Sequence, residues 1–136
     1  MMQRFSISLD KGLLKSFDDY ITNRNYSNRS EAVRDLIRQS LIKEEWEKDK
    51  MVMGVITVVY DHHQPKLQEK ITAIQHDVSC HIISATHVHM NHNNCLEVII
   101  VKDLADAVTD LSASLSAIRG IRDCQLIMTS TGKEIG

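Results

Sequence analysis

Polar and apolar residues alternate from Arg4 to Leu9, with Phe5, Ile7 and Leu9 on one side and Arg4, Ser6 and Ser8 on the other. A period of two marks a half-buried strand. From Asp10 the period changes. Leu13, Leu14, Phe17, Tyr20 and Ile21 recur at helical spacing behind an Asp N-cap and predict a helix ending near Asn23-Arg24-Asn25. Asn28 and Glu31 then form a capping-box-like pair, and Ala32, Val33, Leu36, Ile37 and Leu41 make the stripe of a second helix reaching about Trp46. Past the charged stretch Lys43–Lys50, Met51–Tyr60 is β-branched and apolar, as for a strand buried on both faces. Gln64–Gln75 is helical, with Leu67, Ile71 and Ile74 on one side, and strand signals return in Ser79–Met90 and Cys95–Val101. A last helix spans about Leu104–Ile118, Gly120 stops it, and a strand closes the pattern at Ile121–Met128.

Two halves follow. A strand and two helices in about 45 residues enclose too little surface to be stable alone, so the front unit must pair with another copy. Two copies related by a two-fold axis can join their strands as an antiparallel ribbon, which exposes Arg4, Ser6 and Ser8 together. Such a ribbon fits the DNA major groove, where Arg and Ser can reach base edges. The back half runs strand, helix, strand, strand, helix, strand, the split βαββαβ order of ferredoxin-like folds.

Charge sharpens this division. The formal net charge is -2, yet residues 1–43 hold eight Lys/Arg against five Asp/Glu and residues 44–136 hold eight against thirteen. The front suits phosphates and the back suits cations. No apolar run approaches the ~18 residues of a membrane span, and the N-terminus lacks the apolar core of a signal peptide, so a cytoplasmic location with no membrane partner is expected. The odd cysteine count, Cys80, Cys95 and Cys124 with no CxxC pair, fits reduced thiols.

All seven histidines lie between positions 62 and 92. His87 and His89 flank Val88, and on a strand residues two apart share a face, so their imidazoles can approach one ion while Thr86, Val88 and Met90 point into the core. Cys95 follows across the turn Asn91-His92-Asn93-Asn94, where a hairpin can return its sulfur to the pair. His76 stands at the end of the preceding helix, placed to be offered to a neighbouring subunit. Imidazole with thiolate suits zinc, copper, nickel or cobalt, and spacing does not choose among them. His62, His63, His81 and His92 read individually as solvated side chains, with one or two of them open to a weaker accessory metal site, and Cys80 and Cys124 read as small apolar residues. Glu97 is the carboxylate nearest Cys95 in sequence and reads as a partner of the ligands. A saturated ligand set with no open position for water argues for sensing, and the chain is not expected to be an enzyme.

RFSISLDKGLLKSFDDY with YSNRSEAVRDLIRQSL resembles a ribbon-helix-helix module, and QH-x10-HVH-x5-C resembles the NikR family of nickel-responsive regulators. The likeness covers almost the whole chain. It implies an α+β protein: a ribbon-helix-helix DNA-binding domain over residues 1–46, a linker at 47–50, and a ferredoxin-like, ACT-type metal-binding and tetramerisation domain over 51–136. It implies a nickel-responsive transcriptional regulator, a Ni(II)-dependent repressor of nickel-uptake genes, acting on double-stranded operator DNA as a homotetramer built as a dimer of dimers. One square-planar Ni(II) per subunit is implied, held by His87, His89 and Cys95 of one chain and His76 of another.

The resemblance also assigns the front half. Arg4, Ser6 and Ser8 would read bases, the backbone at Asn28, Arg29 and Ser30 would hold a phosphate at a helix N-terminus, and Arg34 would reach the DNA backbone. Family ribbons often carry Thr where this chain has Ser, so base preference does not transfer. Glu31 and Asp35, four residues apart on one helix face, are implied to form a weaker cation site. The rival expectation is a regulator whose ACT-like domain senses an amino acid and whose histidines are incidental.

Overall fold

Asp10 and Asn28 set where the first two helices begin. In the computed structural model, which describes residues 1–64, 66–77 and 79–136, Asp10 caps α1 (Lys11–Asn23) by accepting from the Leu13 N–H at 2.9 Å. Asn28 Oδ1 accepts from Glu31 N at 2.9 Å and opens α2 (Arg29–Glu47). Only half of the expected capping box forms, because the Glu31 carboxylate turns to Arg34 Nη1 at 2.7 Å. Between the helices Asn25 takes a positive φ of 59°, Arg29 forks onto the Asp18 carboxylate at 2.9 Å through both Nε and Nη2, and Tyr26 OH donates to Asp35.

The chain forms two compact units, Met1–Gln39 and Ser40–Gly136. Within the first, only Ile21 and Ala32 are buried among the described residues. Residues 4–9, expected as a strand, are not paired in the single chain, and Phe5 and Ile7 stay 73% and 71% exposed. A strand is defined by its ladder, and one copy supplies no neighbour to pair with. The alternation of the segment has therefore no core to meet in a lone chain.

The second unit is a four-stranded antiparallel sheet in the order β2-β3-β1-β4, formed by β1 (Met51–Asp61), β2 (Ile82–His89), β3 (Asn94–Leu104) and β4 (Ile121–Thr129). Helices α3 (Leu67–Asp77) and α4 (Ala105–Ser116) complete the βαββαβ order. Val52, Ile56, Val58 and Tyr60 of β1 and Cys95, Ile99 and Val101 of β3 face a buried core with Leu67 and Ile71 of α3 and Val108, Leu111 and Leu115 of α4. Gly54 lies on that face because α4 crosses close above it, and a Cβ there would sit 2.6 Å from Val108 Cγ1. Trp46 belongs to the same core and donates from Nε1 to Thr129 O at 2.9 Å. The loop before the sheet also starts α4: Asp49 Oδ1 accepts from Asp106 N at 2.8 Å and Lys50 O from Ala105 N at 2.9 Å, satisfying donors that a helix leaves open in its first turn.

Three expectations change. The helix expected from Gln64 begins at Leu67, because Lys66 adopts a φ of 67°, outside helical geometry. β1 is not buried on both faces: its burial alternates, and Val55, Thr57 and Val59 on the second face are only half-buried. Thr86, Val88 and Met90 do not point into the core. They lie on that second face or beyond its edge, with Val88 40% and Met90 45% exposed, while His87 and His89 share the helix-covered face at the rim of the core. The two-residue period was right, but periodicity alone cannot say which side the helices cover.

Candidate functional site

The register of three strands builds the site. His89 of β2 lies opposite Cys95 of β3, which lies opposite Tyr60 of β1; one step along, His87 lies opposite Glu97. Directly opposed residues of antiparallel strands point to the same face with Cβ atoms about 5 Å apart, so these five side chains converge. His89 Nδ1 stands 3.4 Å from Cys95 Sγ, and the rings of His87 and His89 are 5.1 Å apart. Cys95 and Tyr60 are fully buried, and His89 is exposed above them.

His87 is held from behind. Its Nδ1 lies 3.1 Å from Tyr60 OH and 3.3 Å from Glu97 Oε2. A carboxylate only accepts, so the proton belongs on Nδ1, and Nε2 then offers its lone pair outward. Metal-binding histidines are oriented and made more basic in this way. Burial, followed by the Glu97 and Cys95 charges, pushes the Tyr60 phenol up to about 12, so it stays protonated. The Cys95 thiol is raised above the ordinary thiol range, first by burial and then by the charges of Glu97 and Asp61.

A further residue joins. β1 ends at Asp61, paired with Asn94, and the next amide, His62 N, donates to Asn93 O at 3.2 Å. That turns the His62 ring edge-on to His89, with centroids 5.4 Å apart. The donor atoms of His62, His89 and Cys95 lie within 4.8 Å of one another, and His62 Nδ1 is buried with no hydrogen-bond partner among the described residues. Two imidazoles, one of them carrying the orphaned ring nitrogen, and a thiol fit a borderline divalent metal such as zinc, nickel, cobalt or copper, and do not suit calcium or magnesium.

Of the four expected ligands, the structure joins His89 and Cys95 directly and sets His87 beside them. His76 is not among the described side chains that converge there: it is exposed on the last turn of α3, over a shallow groove with Gln68, Glu69, Thr72 and Ala73. Cys80 is buried, its thiol pushed up to about 11 by burial, and Cys124 points its thiol at Ser112 O at 3.7 Å.

In the first unit Arg4, Ser6 and Ser8 are all exposed. The N–H groups of Arg29 and Ser30 lie in the first turn of α2, where a helix supplies no acceptor of its own. The Arg29 guanidinium is committed to Asp18, and Arg34 to Glu31. Asp35 accepts from Tyr26 OH and from Gln39 Nε2, the latter at 3.0 Å. Glu31 and Asp35 therefore turn to different partners.

Residues 53–129 match the model of the NikR C-terminal nickel-binding domain, and residues 3–44 match that of ribbon-helix-helix proteins of the copG family. This chain belongs to the NikR family. A protein of Desulfotalea psychrophila, provisionally named as a nickel-responsive regulator, is 57% identical over 99% of both chains. One of Syntrophus aciditrophicus with the same name is 51% identical over 96% of this chain and 95% of that one. An archaeal relative from Thermococcus kodakarensis, again so named, is 43% identical over 97% and 96%. The NikR chain is thus a regulator.

Solved structures agree on the fold of the second unit. An uncharacterized protein from Thermotoga maritima superposes with a TM-score of 0.51 at 19% identity, over 57% of this chain and 96% of that one. The ACT domain of a GTP pyrophosphokinase from Chlorobium tepidum does so with 0.50 at 13%, over 57% and 86%. The NikR chain is accordingly α+β, a ribbon-helix-helix domain followed by an ACT-like, ferredoxin-type domain. Among its described residues no helix is long and apolar enough to cross a membrane. The sequence pattern gives His62 as a solvated residue or a member of an accessory site, not as a neighbour of Cys95; the signal that places it there is the pairing of Tyr60 with Cys95, which brings the strand end back over the sulfur.

Proposed function

We propose that this chain is a Ni(II)-dependent repressor of nickel-uptake genes, taking one nickel ion per chain at the centre described above. The observation that carries the proposal is the His89–Cys95 contact of 3.4 Å with His87 beside it, oriented by Glu97 and Tyr60. Cys95, His89 and His87 hold the ion from one copy, and His76 of a second copy completes the set. The choice of nickel over zinc or copper rests on the family and its relatives' names, since the donors accept all three.

Residues 1–46 would then read DNA, 47–50 link, and 51–136 sense. Two observations support an assembly of several copies, a homotetramer arranged as a dimer of dimers. Phe5 and Ile7 have nothing to cover them in one copy. The sheet face opposite the helices is apolar through Val55, Val59, Leu96, Val98 and Ile100, all half-buried, with Ile127 54% exposed. Apolar surface left open on this scale marks an interface.

When bound, the ion supplies a cross-link between two copies. The chain's residues do the rest. Cys95 loses its proton, Glu97 and Tyr60 keep the His87 ring turned outward, and the exposed His76 reaches the neighbour. A ribbon made from two copies of residues 4–9 presents Arg4, Ser6 and Ser8 to base edges of double-stranded operator DNA. The first turn of α2 at Asn28, Arg29 and Ser30 takes a phosphate, and Arg34 lies close by. Glu31 and Asp35 would bind a cation only after leaving Arg34, Tyr26 and Gln39, so we assign that role as the weakest. A cytoplasmic location follows from this reading. Coupling is reciprocal: DNA must tighten nickel binding by the factor that nickel tightens DNA binding.

The test is titration of metal-free protein with Ni(II), and separately Zn(II), followed by absorption, together with a gel shift on the promoter of a nickel-transport gene. A thiolate-to-nickel charge-transfer band that is lost in Cys95→Ala, with nickel-dependent retention of DNA, is the expected result. DNA binding that ignores Ni(II) overturns the reading.

A further inference from the structure

β4 does not run evenly against β1. Val59 lies opposite Asp123 but Tyr60 lies opposite Ile121, which leaves Arg122 as an extra, unpaired residue on β4. Such a bulge takes one side chain out of the alternation and re-aims it. Here it sends the Arg122 guanidinium over the end of β1 to the start of β3. Nη1 donates to Asn94 Oδ1 at 2.7 Å, and Nη2 lies 3.4 Å from Asp61 Oδ2. Asp61 and Asn94 are themselves opposed across β1 and β3, and each is followed directly by a member of the metal centre, His62 and Cys95.

Asn94 is the knot of the β2–β3 hairpin. Its carbonyl accepts from Met90 N at 3.0 Å and from Asn91 N at 3.4 Å, and its own N–H donates to Asn91 Oδ1 at 2.9 Å. The hairpin needs an outside hold, because β2 is an edge strand, paired only with β3 in the single chain and exposed from Ile83 to His89. We propose that Arg122 is a positioning residue of the metal centre: from the far edge of the sheet it pins the β2–β3 hairpin to the end of β1, and so presents His89 and Cys95 together before an ion arrives. This role rests on the reading of His87, His89 and Cys95 as ligands. The bonds of Arg122 go to Asn94 and Asp61, not to the ligands, so it acts through them. Donors held in place beforehand lose less binding free energy to ordering. The Arg122 side chain is 52% exposed, so its hold is local and adds little to global stability.

The test reads the Ni(II) affinity of full-length Arg122→Gln by competition against a chelator, with detection by absorption, and hydrogen exchange in the same protein free of metal. Loss of a partner behind the ligands commonly weakens metal binding about 10–100-fold, and a half-exposed one acting through the backbone should cost less, about 3–10-fold. The amides of Met90, Asn91 and Asn94 should exchange faster while those in the middle of β1 stay as in the wild type, a contrast that general destabilisation does not give. Asn94→Ala should weaken binding alone and add little to Arg122→Gln, because the two sides form one contact. Arg122→Lys keeps the charge without the fork and should recover only part of the affinity. A charge route exists beside the mechanical one: Asp61 is the third cause, after burial and Glu97, of the raised Cys95 thiol, and Arg122 offsets its charge. The two routes part with pH, since a positioning loss persists above the range of the thiol and a charge effect fades there. Affinity within about twofold of wild type, a loss that vanishes at high pH, full recovery by Arg122→Lys, or unchanged hairpin exchange overturns the proposal. A wild type whose Ni(II) complex lacks a Cys95-dependent thiolate band overturns the reading of the centre instead, and faster hairpin exchange in Arg122→Gln then still upholds the clamp.

Discussion

Replacing Glu97 with Gln separates orientation of His87 from every other influence on the metal centre. Glu97 is only 12% exposed at its side chain, and Oε2 lies 3.3 Å from His87 Nδ1. Glutamine keeps the size and one acceptor oxygen but removes the charge that fixes the Nδ1 proton. Loss of such a partner typically weakens metal binding about 10–100-fold, or about 1.4–2.7 kcal/mol. An opposing effect acts at the same time. Glu97 is the second cause, after burial, of the raised Cys95 thiol, so its removal eases formation of the thiolate. That gain works only through competition with protons and fades above the pKa of the thiol, whereas the loss of orientation persists. The net weakening of Ni(II) binding in Glu97→Gln should therefore be larger at a pH above the raised range of the Cys95 thiol than at neutral pH, where the thiol of the metal-free protein is protonated. Competition against a chelator, read by absorption at both pH values, measures it. In a His87→Ala background the same change should cost little, because the ring it orients is gone. Affinity within about threefold of wild type at both pH values, where at least tenfold is expected, would refute the reasoning.

The other expectations concern packing and protons. Gly54→Ala places a methyl 2.6 Å from Val108 Cγ1 beneath α4, and should destabilise the metal-free protein by about 1–3 kcal/mol in urea unfolding. Trp46→Phe removes the Nε1 bond to Thr129 O from a nearly buried site, costing about 0.5–1.5 kcal/mol, and should lower Tm with the metal spectrum unchanged. Because burial raises the Cys95 thiol, ligation displaces a proton throughout the neutral range. Nickel affinity should then fall about tenfold for each unit of pH lowered per proton released, and an affinity independent of pH between about 6 and 8 would contradict thiolate ligation.

Much of this architecture was legible in the chain. Alternation and helical stripes located both early helices and the βαββαβ order, because those periods are local consequences of backbone geometry. Asp10 and Asn28 marked helix starts for the same reason: a cap acts on amides two or three residues away. His87, Val88 and His89 announced a shared face, and Cys95 announced a hairpin return. Helix ends were less legible where one residue's backbone decided them, as Lys66 does for α3.

The pattern could not say which face of β2 the helices cover, since a two-residue period is symmetric between faces until something packs on one of them. Only the position of α3 and α4 put His87 and His89 on the core side and left Val88 outside. Nor could spacing pair Tyr60 with Cys95 or His87 with Glu97, for these meetings depend on cross-strand register between distant segments. His62 shows the difference most sharply: beside His63 in sequence it looked solvated, and the closing of β1 against β3 set its ring over the thiol. What the sequence determined is the set of local periods, caps and donor types. The tertiary structure decided which donors meet, because contact across strands is fixed by register and by the side the helices choose.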